Sequence, residues 1–266
     1  MTTNDSIRET VREHYAERIK NSASCCGPDS SCSTDSNLYP VDLLATLPEG
    51  ESVISYGCGD PITLASLQPG QIVLDLGSGA GLDCFFAAKK VGETGKVIGV
   101  DMTPEMIDRA RSSAKRLNLT NVDFRQGFLE DLPVDANSVD VIISNCVINL
   151  SPDKAKVFGE AFRVLKPGGK LAVSDIVTDG PLPEAVKKSL SAWAGCVAGA
   201  VEAEDYIGMM KTVGFTDISI KPVFFDKATV DSALADMGDA IDLKTISRDE
   251  VYKAVYSAKI TAYKPS

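Results

Sequence analysis

Short apolar runs alternate with helical stretches between Ile72 and about Ser174, and this alternation limits the possible folds more than any other feature of the chain. A run such as 139–143 has the composition of a buried strand, whereas 104–117 has the periodicity of a helix. Strands and helices that alternate in this way form a parallel sheet with helices on both faces. The sequence therefore predicts an α/β fold with a doubly wound, mostly parallel sheet, which we place at residues 69–180.

An extension of different character precedes this core, and we assign residues 1–68 to it. Apolar residues at four-residue spacing among charged ones predict an amphipathic helix to about Lys20. The stretch 22–36 is rich in Ser, Cys, Gly, Pro and Asp and lacks periodicity, so it predicts a loop. We therefore expect an N-terminal helix and a Cys-rich segment in front of the α/β domain. The apolar positions of the helix are Ile7, Val11 and Tyr15.

The remaining residues, 181–266, predict a C-terminal α+β cap. Pro167-Gly168-Gly169 is a strong turn signal between a helix that ends near Leu165 and a strand from Lys170 to Ile176, which closes the core. Helical and strand patterns follow beyond this strand. We expect two helices over roughly 183–212 and two strands over 217–225 and 255–263.

Charge and composition argue against several classes of function. The 266 residues include 37 acidic and 27 basic side chains, and the resulting net charge of -10 repels phosphate backbones and anionic lipid. No apolar run approaches the roughly eighteen residues that a membrane-spanning helix needs, and the chain starts without an export signal. We therefore expect a cytoplasmic protein with no nucleic acid and no membrane as partner.

A glycine-rich stretch, Leu74 to Gly81, follows the first predicted strand and opens a helix. Its glycines would let backbone N–H groups approach a ligand without interference from a Cβ atom, although such a stretch can also be a simple tight turn. The third glycine comes one residue too early for the dinucleotide fingerprint, which also does not require Asp75. The stretch resembles instead the first motif of class I methyltransferases, which have a Rossmann-like fold and use S-adenosylmethionine.

Asp101 ends the next predicted strand, where a carboxylate can accept hydrogen bonds from both hydroxyls of a ribose. It could also cap the helix that begins near Pro104, and both roles can hold together. Two later loops also lie at carboxyl ends of strands, and the resemblance implies that they contact the adenine and methionyl parts of the cofactor. The expected cofactor-binding residues are Asp75, Gly77, Ser78, Gly79, Gly81, Asp83, Asp101, Met102, Leu129, Glu130 and Asn145.

Three of the seven cysteines occur in sequence contexts that favour chemistry. An odd number of cysteines in the reducing cytosol argues against a structural disulfide framework. Cys58 lies between two glycines, Cys146 lies just beyond the fourth predicted strand, and Cys196 lies in a small-residue stretch of the predicted cap. Each could instead be a small buried hydrophobe, the interpretation that we prefer for Cys84 because it lies in a helix beside two phenylalanines.

Together these motifs resemble the arsenite methyltransferases, from about Val11 to Phe215. The nucleoside motifs are shared by many methyltransferases, whereas the combination of three cysteine contexts is specific to this family. The segments that carry the resemblance are Tyr56-Gly57-Cys58-Gly59, Asp75-Leu76-Gly77-Ser78-Gly79, Ser144-Asn145-Cys146-Val147-Ile148-Asn149-Leu150 and Gly195-Cys196.

The resemblance implies a catalytic set of cysteines that bind arsenic(III) as substrate. Cys58, Cys146 and Cys196 are its members, and one further N-terminal cysteine is expected to take part. We favour Cys26 for that role, although Cys25 and Cys32 also fit. These three N-terminal thiols could alternatively bind zinc, but no fourth ligand is evident beside them.

The chemistry of trivalent arsenic suits such residues. Arsenic(III) is soft, so thiolates are its natural ligands, and its lone pair can attack the sulfonium methyl directly. No general base is needed, and the only histidine, His14, is expected to be a solvated helix residue. Neighbouring thiols can return the arsenic to the trivalent state by closing a disulfide, which thioredoxin or glutathione would then reduce.

The predicted function is therefore an arsenite methyltransferase that acts on arsenite and methylarsenite in arsenic detoxification and releases S-adenosylhomocysteine. One alternative is a class I methyltransferase of a small quinone-like or sterol-like acceptor, with incidental cysteines. Another is a non-catalytic, thiol-based arsenic- or zinc-binding protein. The intact nucleoside motifs argue against the second alternative, and the three cysteine contexts argue against the first.

Overall fold

The computed structural model describes residues 4–22, 59–180, 199–225, 227 and 255–266. The strands in these ranges are β1 (Ile72–Leu76), β2 (Lys96–Asp101), β3 (Val122–Gln126), β4 (Val139–Asn145), β5 (Leu165–Thr178), β6 (Thr216–Val223) and β7 (Val255–Tyr263). The α-helices are α1 (Asn4–Ser22), α2 (Pro61–Ala65), α3 (Leu82–Val91), α4 (Pro104–Arg116), α5 (Lys154–Val164) and α6 (Ala203–Thr212), with a short 3₁₀ helix at Ile148–Leu150.

These strands form one sheet in the order β3-β2-β1-β4-β5-β7-β6. Strands β1 to β5 pair in parallel, and β7 and β6 pair in antiparallel fashion at the edge. The chain runs from β1 outward to β3 and then crosses back to β4 on the other side of β1. This reversal opens a crevice beyond the carboxyl ends of β1 and β4, where ligands bind in open α/β sheets. The predicted doubly wound, mostly parallel sheet is confirmed.

Helices cover both faces of the sheet because successive strand residues point to opposite sides. Val73 packs with Phe86 of α3 and Ile107 of α4, whereas the next residue, Leu74, belongs to the cluster that contains Phe158 of α5. All of these side chains are buried. The near-continuous apolar composition of β1 therefore reflects burial on both of its faces.

The boundary before the fifth strand differs from the prediction. β5 begins at Leu165, directly after α5, rather than at Lys170. Leu165 pairs with Val139, and the register then shifts before Lys170 pairs with Val141. Gly168, with a φ of 77°, lies in this irregularity, so the predicted Pro-Gly-Gly turn is accommodated as a bulge inside the strand.

Both predicted C-terminal strands are present as β6 and β7, and they extend the main sheet. Helix α6 is the described part of the two-helix region predicted over 183–212. The Cys-rich stretch 22–36 and most of that two-helix region lie outside the described residues. The division of the chain at 68 and 180 stays a prediction.

Helix α1 confirms the predicted N-terminal helix and lies over the carboxyl ends of the strands. Its buried residues Ile7 and Val11 pack in one cluster with Cys146 and Ile176. Lys20 forms an ion pair with Glu105 of α4, with 2.9 Å between Nζ and Oε1. The described helices include none that is both long and apolar enough to cross a membrane.

Candidate active site

The glycine loop between β1 and α3 depends on left-handed backbone. Gly77, Gly79 and Gly81 have φ values of 68°, 50° and 96°, which residues with a Cβ atom adopt only at a cost. An added Cβ at Gly77 would lie 2.7 Å from the Cβ of Val147, so this residue also permits close packing. At Gly79, in contrast, no described atom would lie within 4 Å of an added Cβ.

The backbone N–H groups of this loop already have protein acceptors. Gly77 and Ser78 both donate to the carbonyl of Val100, at 2.8 and 3.0 Å, and Gly79 donates to Oδ2 of Asp101 at 2.9 Å. The expectation that these groups remain available to a ligand is therefore wrong for these three donors. They tie the loop to the end of β2, and the glycines serve mainly to keep space open.

Asp101 organises the end of β2. Its Oδ1 accepts a hydrogen bond from the N–H of Thr103 at 2.8 Å, while its Oδ2 accepts from Gly79. Thr103, rather than Asp101, is the N-cap residue of α4. Burial raises the pKa of Asp101. Each carboxylate oxygen has a second lone pair, so the two oxygens can still accept from a pair of ribose hydroxyls.

Asp75 and Cys84 form a buried pair beneath the glycine loop. The Sγ of Cys84 donates a hydrogen bond to Oδ2 of Asp75 at 3.2 Å, and both side chains are buried. Burial raises the pKa of both groups well above its ordinary value. The burial of Cys84 agrees with its predicted packing role.

A pocket with an empty volume of about 990 Å³, including its open mouth, lies beyond the carboxyl ends of β1, β2 and β4. It collects most of the predicted cofactor-binding residues, but not Asp75 or Gly81, which support the loop from outside the pocket wall. The predicted residues in its wall are Gly77, Ser78, Gly79, Asp83, Asp101, Met102, Leu129, Glu130, Asn145 and Cys146.

Helix α1 provides one side of this pocket, which was not predicted from the sequence. Arg8, Val11 and Tyr15 of that helix line the pocket. The four-residue spacing of Val11 and Tyr15 revealed an apolar face, but a face that closes a pocket has the same pattern as one that packs on a core. His14 is half-buried rather than solvated, with its ring centroid 5.3 Å from that of Tyr15.

Asn145, the last residue of β4, connects the strand to the segment before α2. Its Nδ2 donates to the carbonyl of Gly59 at 2.8 Å and to Oδ2 of Asp83 at 3.3 Å, and its Oδ1 accepts from the N–H of Gly59 at 3.2 Å. Gly59 is covalently bonded to Cys58, and Asn145 to Cys146. Asn145 therefore holds the backbone next to one predicted arsenic ligand against the backbone next to another.

Cys146 has an unusual backbone conformation for its residue type. Its φ is 59°, in the left-handed region that residues with a Cβ atom rarely adopt. Its N–H donates to the carbonyl of Ser174 at 2.7 Å, and its side chain is buried in the pocket wall. The sulfur is part of a disulfide, contrary to the expectation of free thiols, and the other cysteine lies outside the described residues.

The remaining predicted thiols cannot be placed in the same way. Cys58, Cys196 and Cys26, together with the competing Cys25 and Cys32, lie outside the described residues. Their roles stay predictions.

The doubly wound sheet, the glycine loop after β1 and the carboxylate after β2 define a class I methyltransferase, a class whose methyl donor is S-adenosylmethionine. In agreement, residues 67–239 match the family model of a methyltransferase domain. More narrowly, the chain belongs to the arsenite methyltransferases. It is 38% identical over 248 residues to the arsenite methyltransferase of Aquipseudomonas alcaligenes, a match that covers 88% of this chain and 69% of that protein.

Two further similarities support this assignment. The chain is 43% identical over 233 residues to the arsenite methyltransferase of Halobacterium salinarum, covering 82% of this chain and 59% of the length of that relative. The crystal structure of an arsenic(III) S-adenosylmethionine methyltransferase from Chlamydomonas reinhardtii has a TM-score of 0.62 at 36% identity, covering 86% of this chain and 71% of that one.

Proposed function

We propose that this chain transfers the methyl group of S-adenosylmethionine to trivalent arsenic held by cysteine thiolates, and that it releases S-adenosylhomocysteine. The observation that carries the proposal is Cys146, a buried cysteine in left-handed backbone in the wall of the cofactor pocket. Such a conformation costs on the order of 1–3 kcal/mol and typically persists where function requires it. An organic acceptor would gain nothing from a thiol held there, and the similarity to arsenite methyltransferases favours arsenic.

The pocket offers complementary sites along the length of the cofactor. The glycine loop and Asn145, at the ends of β1 and β4, suit the methionyl part. Asp101 suits the ribose, and Met102 and Leu129 offer apolar contacts for the adenine. This order follows the sheet, because β2 lies between β1 and β3. A cofactor bound in this order would present its sulfonium methyl on the β1–β4 side of the pocket, where Cys146 lies.

The transfer requires no proton acceptor. The arsenic lone pair attacks the methyl carbon, and the bonding pair of the sulfonium–methyl bond stays on the sulfur of S-adenosylhomocysteine. The methylated arsenic is now formally pentavalent. If two of its thiolate ligands leave as a disulfide, they return two electrons to arsenic and restore the trivalent state. Cys146 itself forms a disulfide, which supports a step of this kind.

We propose Cys58, Cys196 and Cys26 as the other arsenic-binding thiols. The hydrogen bonds between Gly59 and Asn145 support the inclusion of Cys58. Each turnover that ends in a disulfide needs an external thiol reductant, for which thioredoxin and glutathione are suitable. A reducing compartment supplies both, so we place the activity in the cytoplasm.

The direct test is to incubate the purified protein with methyl-labelled S-adenosylmethionine, arsenite and glutathione or thioredoxin, and to separate the arsenic species by chromatography. We expect the label in methylated arsenic. A parallel reaction without arsenic, with quinone and sterol acceptors, serves as the control. Binding of S-adenosylhomocysteine without labelled arsenic, or label on an organic acceptor, would refute the proposal.

A further inference from the structure

Helix α1 brings a charged side chain to the nucleoside end of the pocket. The Nη2 of Arg8 lies 3.1 Å from Oε1 of Glu130, a residue 122 positions further along the chain. Glu130 is buried, and the same Oε1 also accepts a hydrogen bond from the hydroxyl of Ser151 at 2.6 Å. The other carboxylate oxygen of Glu130 receives no hydrogen bond from the described residues. A buried carboxylate with one free oxygen therefore faces the pocket beside its counter-charge.

The guanidinium of Arg8 has an unused donor at the same place. Its Nε is buried and makes no hydrogen bond within the described part of the chain, although Arg8 lines the pocket. On its other side, the guanidinium carbon lies 5.8 Å from the ring centroid of Phe128. A buried donor without an acceptor destabilises the protein, and a ligand that supplies the acceptor removes this cost.

The sheet order indicates which part of the cofactor reaches these groups. Glu130 and Phe128 belong to the loop after β3, which lies beyond β2 and Asp101 as seen from the glycine loop. If Asp101 binds the ribose, the adenine extends toward that loop. The adenine edge presents an amino donor next to ring-nitrogen acceptors. The free oxygen of Glu130 and the Nε–H of Arg8 have the complementary pattern.

We infer that Arg8 is a cofactor-binding residue that recognises the adenine edge of S-adenosylmethionine together with Glu130. This inference rests on the proposed use of that cofactor and adds α1 to the binding site. Nε of Arg8 donates to a ring nitrogen of the adenine, while Nη2 fixes the carboxylate of Glu130 so that it accepts from the amino group. The N-terminal helix thus contributes specificity for the base as well as a wall of the pocket.

The test compares S-adenosylhomocysteine with S-inosylhomocysteine, in which a carbonyl acceptor replaces the amino donor. Isothermal titration calorimetry would be carried out on the full chain and on Arg8→Met, which keeps the length of the side chain but lacks its donors. We expect Arg8→Met to weaken S-adenosylhomocysteine about tenfold or more, since a charge-assisted hydrogen bond is lost. The preference for adenine over hypoxanthine should fall as well.

Two further variants keep this test decisive. Arg12→Met is the matched control, because Arg12 pairs with Glu9 on the exposed side of the same helix, and its affinity should stay within about twofold of wild type. Arg8→Lys keeps a positive charge for Glu130 but removes Nε, so it should fold and still lose base preference. Unchanged affinity in Arg8→Met, or equal losses for both bases, would overturn the inference. Failure of the wild type to bind S-adenosylhomocysteine would instead refute the proposed function.

Discussion

Two neighbouring turns of the active site, called here the glycine corner and the cysteine corner, share a left-handed backbone conformation. One has it at a glycine and the other at a residue with a side chain. Gly77 follows β1 with a φ of 68°, and Cys146 follows β4 with a φ of 59°. At Gly77 the left-handed conformation has no steric cost, and the missing Cβ makes room for Val147. At Cys146 a side chain is present, and the same conformation costs about 1–2 kcal/mol.

The comparison separates a structural requirement from a functional one. The glycine corner is explained by packing and by the space that a cofactor needs. The cysteine corner is not, because a glycine or an asparagine would satisfy that backbone at lower cost. The proposed role of the Cys146 thiol would account for a cysteine at this position, and its place in the pocket wall agrees with contact to the methyl acceptor.

The largest expected effect is on turnover in Cys146→Ser. Serine is a poor ligand for soft arsenic, so the lone pair of the arsenic is no longer directed at the sulfonium methyl. Methylation of both arsenite and methylarsenite should therefore fall by at least about a hundredfold. Affinity for S-adenosylhomocysteine should stay close to that of wild type. The comparison would be Cys84→Ser, in which a thiol outside the pocket is changed and activity should remain within a few-fold. Equal losses of methylation activity in both variants would show that Cys146 has no specific role in binding arsenic.

Gly77→Ala should destabilise the fold by several kcal/mol, because left-handed strain of about 1–3 kcal/mol adds to a clash with Val147. Gly79→Ala is the matched control. Its backbone is also left-handed, but no described atom lies within 4 Å of an added Cβ, so only the strain of about 1–3 kcal/mol applies. Urea unfolding of both variants measures the difference. Equal destabilisation would show that packing against Val147 is not what distinguishes Gly77.

A smaller effect tests the strain at Cys146 itself. At an ordinary position glycine is less stable than alanine by about 0.5–1 kcal/mol, because its unfolded chain is more flexible. At a left-handed position the order reverses, so Cys146→Gly should be more stable than Cys146→Ala by about 1 kcal/mol. The measurement is urea unfolding of the two variants, neither of which can form the disulfide at residue 146. The usual order, with alanine more stable, would mean that the backbone at 146 is not strained.

A pH-dependent effect concerns a buried carboxylate behind the cysteine corner. Asp175 of β5 accepts hydrogen bonds from the N–H of Ile176 and the hydroxyl of Tyr206, and it faces the charge of Lys154. Burial raises its pKa from 3.8 to about 7, so the folded state favours the protonated form. Its contribution to stability is complete below the unfolded pKa and is lost as the pH rises toward about 7.

Relative to Asp175→Asn, wild-type protein should therefore be more stable at pH 5 than at pH 8. Urea unfolding of both proteins at the two pH values gives this difference, and the comparison cancels other groups that titrate in the same range. A difference in unfolding free energy that does not change with pH would contradict the raised pKa of Asp175.

The sequence predicted the architecture well because its signals are local. The alternation of strands and helices, the glycine loop and the position of Asp101 at the end of β2 are all consequences of neighbouring residues. The loop N–H groups were wrongly expected to be available because their acceptors, the carbonyl of Val100 and the carboxylate of Asp101, lie on a different strand. Arg8 was missed for a similar reason, since its partner Glu130 is distant in the chain.

The left-handed backbone of Cys146 was also beyond prediction. Its surroundings, Ser144 to Leu150, contain no glycine or proline to indicate a turn. The conformation follows from the hydrogen bond to Ser174 of β5 and from the packing of Val147 on Gly77. The cysteine motif therefore indicates the proposed chemistry of this residue, whereas its backbone conformation becomes visible only in the tertiary structure.

X-ray absorption at the arsenic edge tests the central claim, that Cys146 binds the arsenic, most directly. Wild type and Cys146→Ser would be reduced, saturated with S-adenosylhomocysteine and loaded with one equivalent of arsenite. We predict an all-sulfur first shell around arsenic in wild type, and replacement of sulfur by oxygen in the variant. The same all-sulfur shell in both proteins would contradict the account.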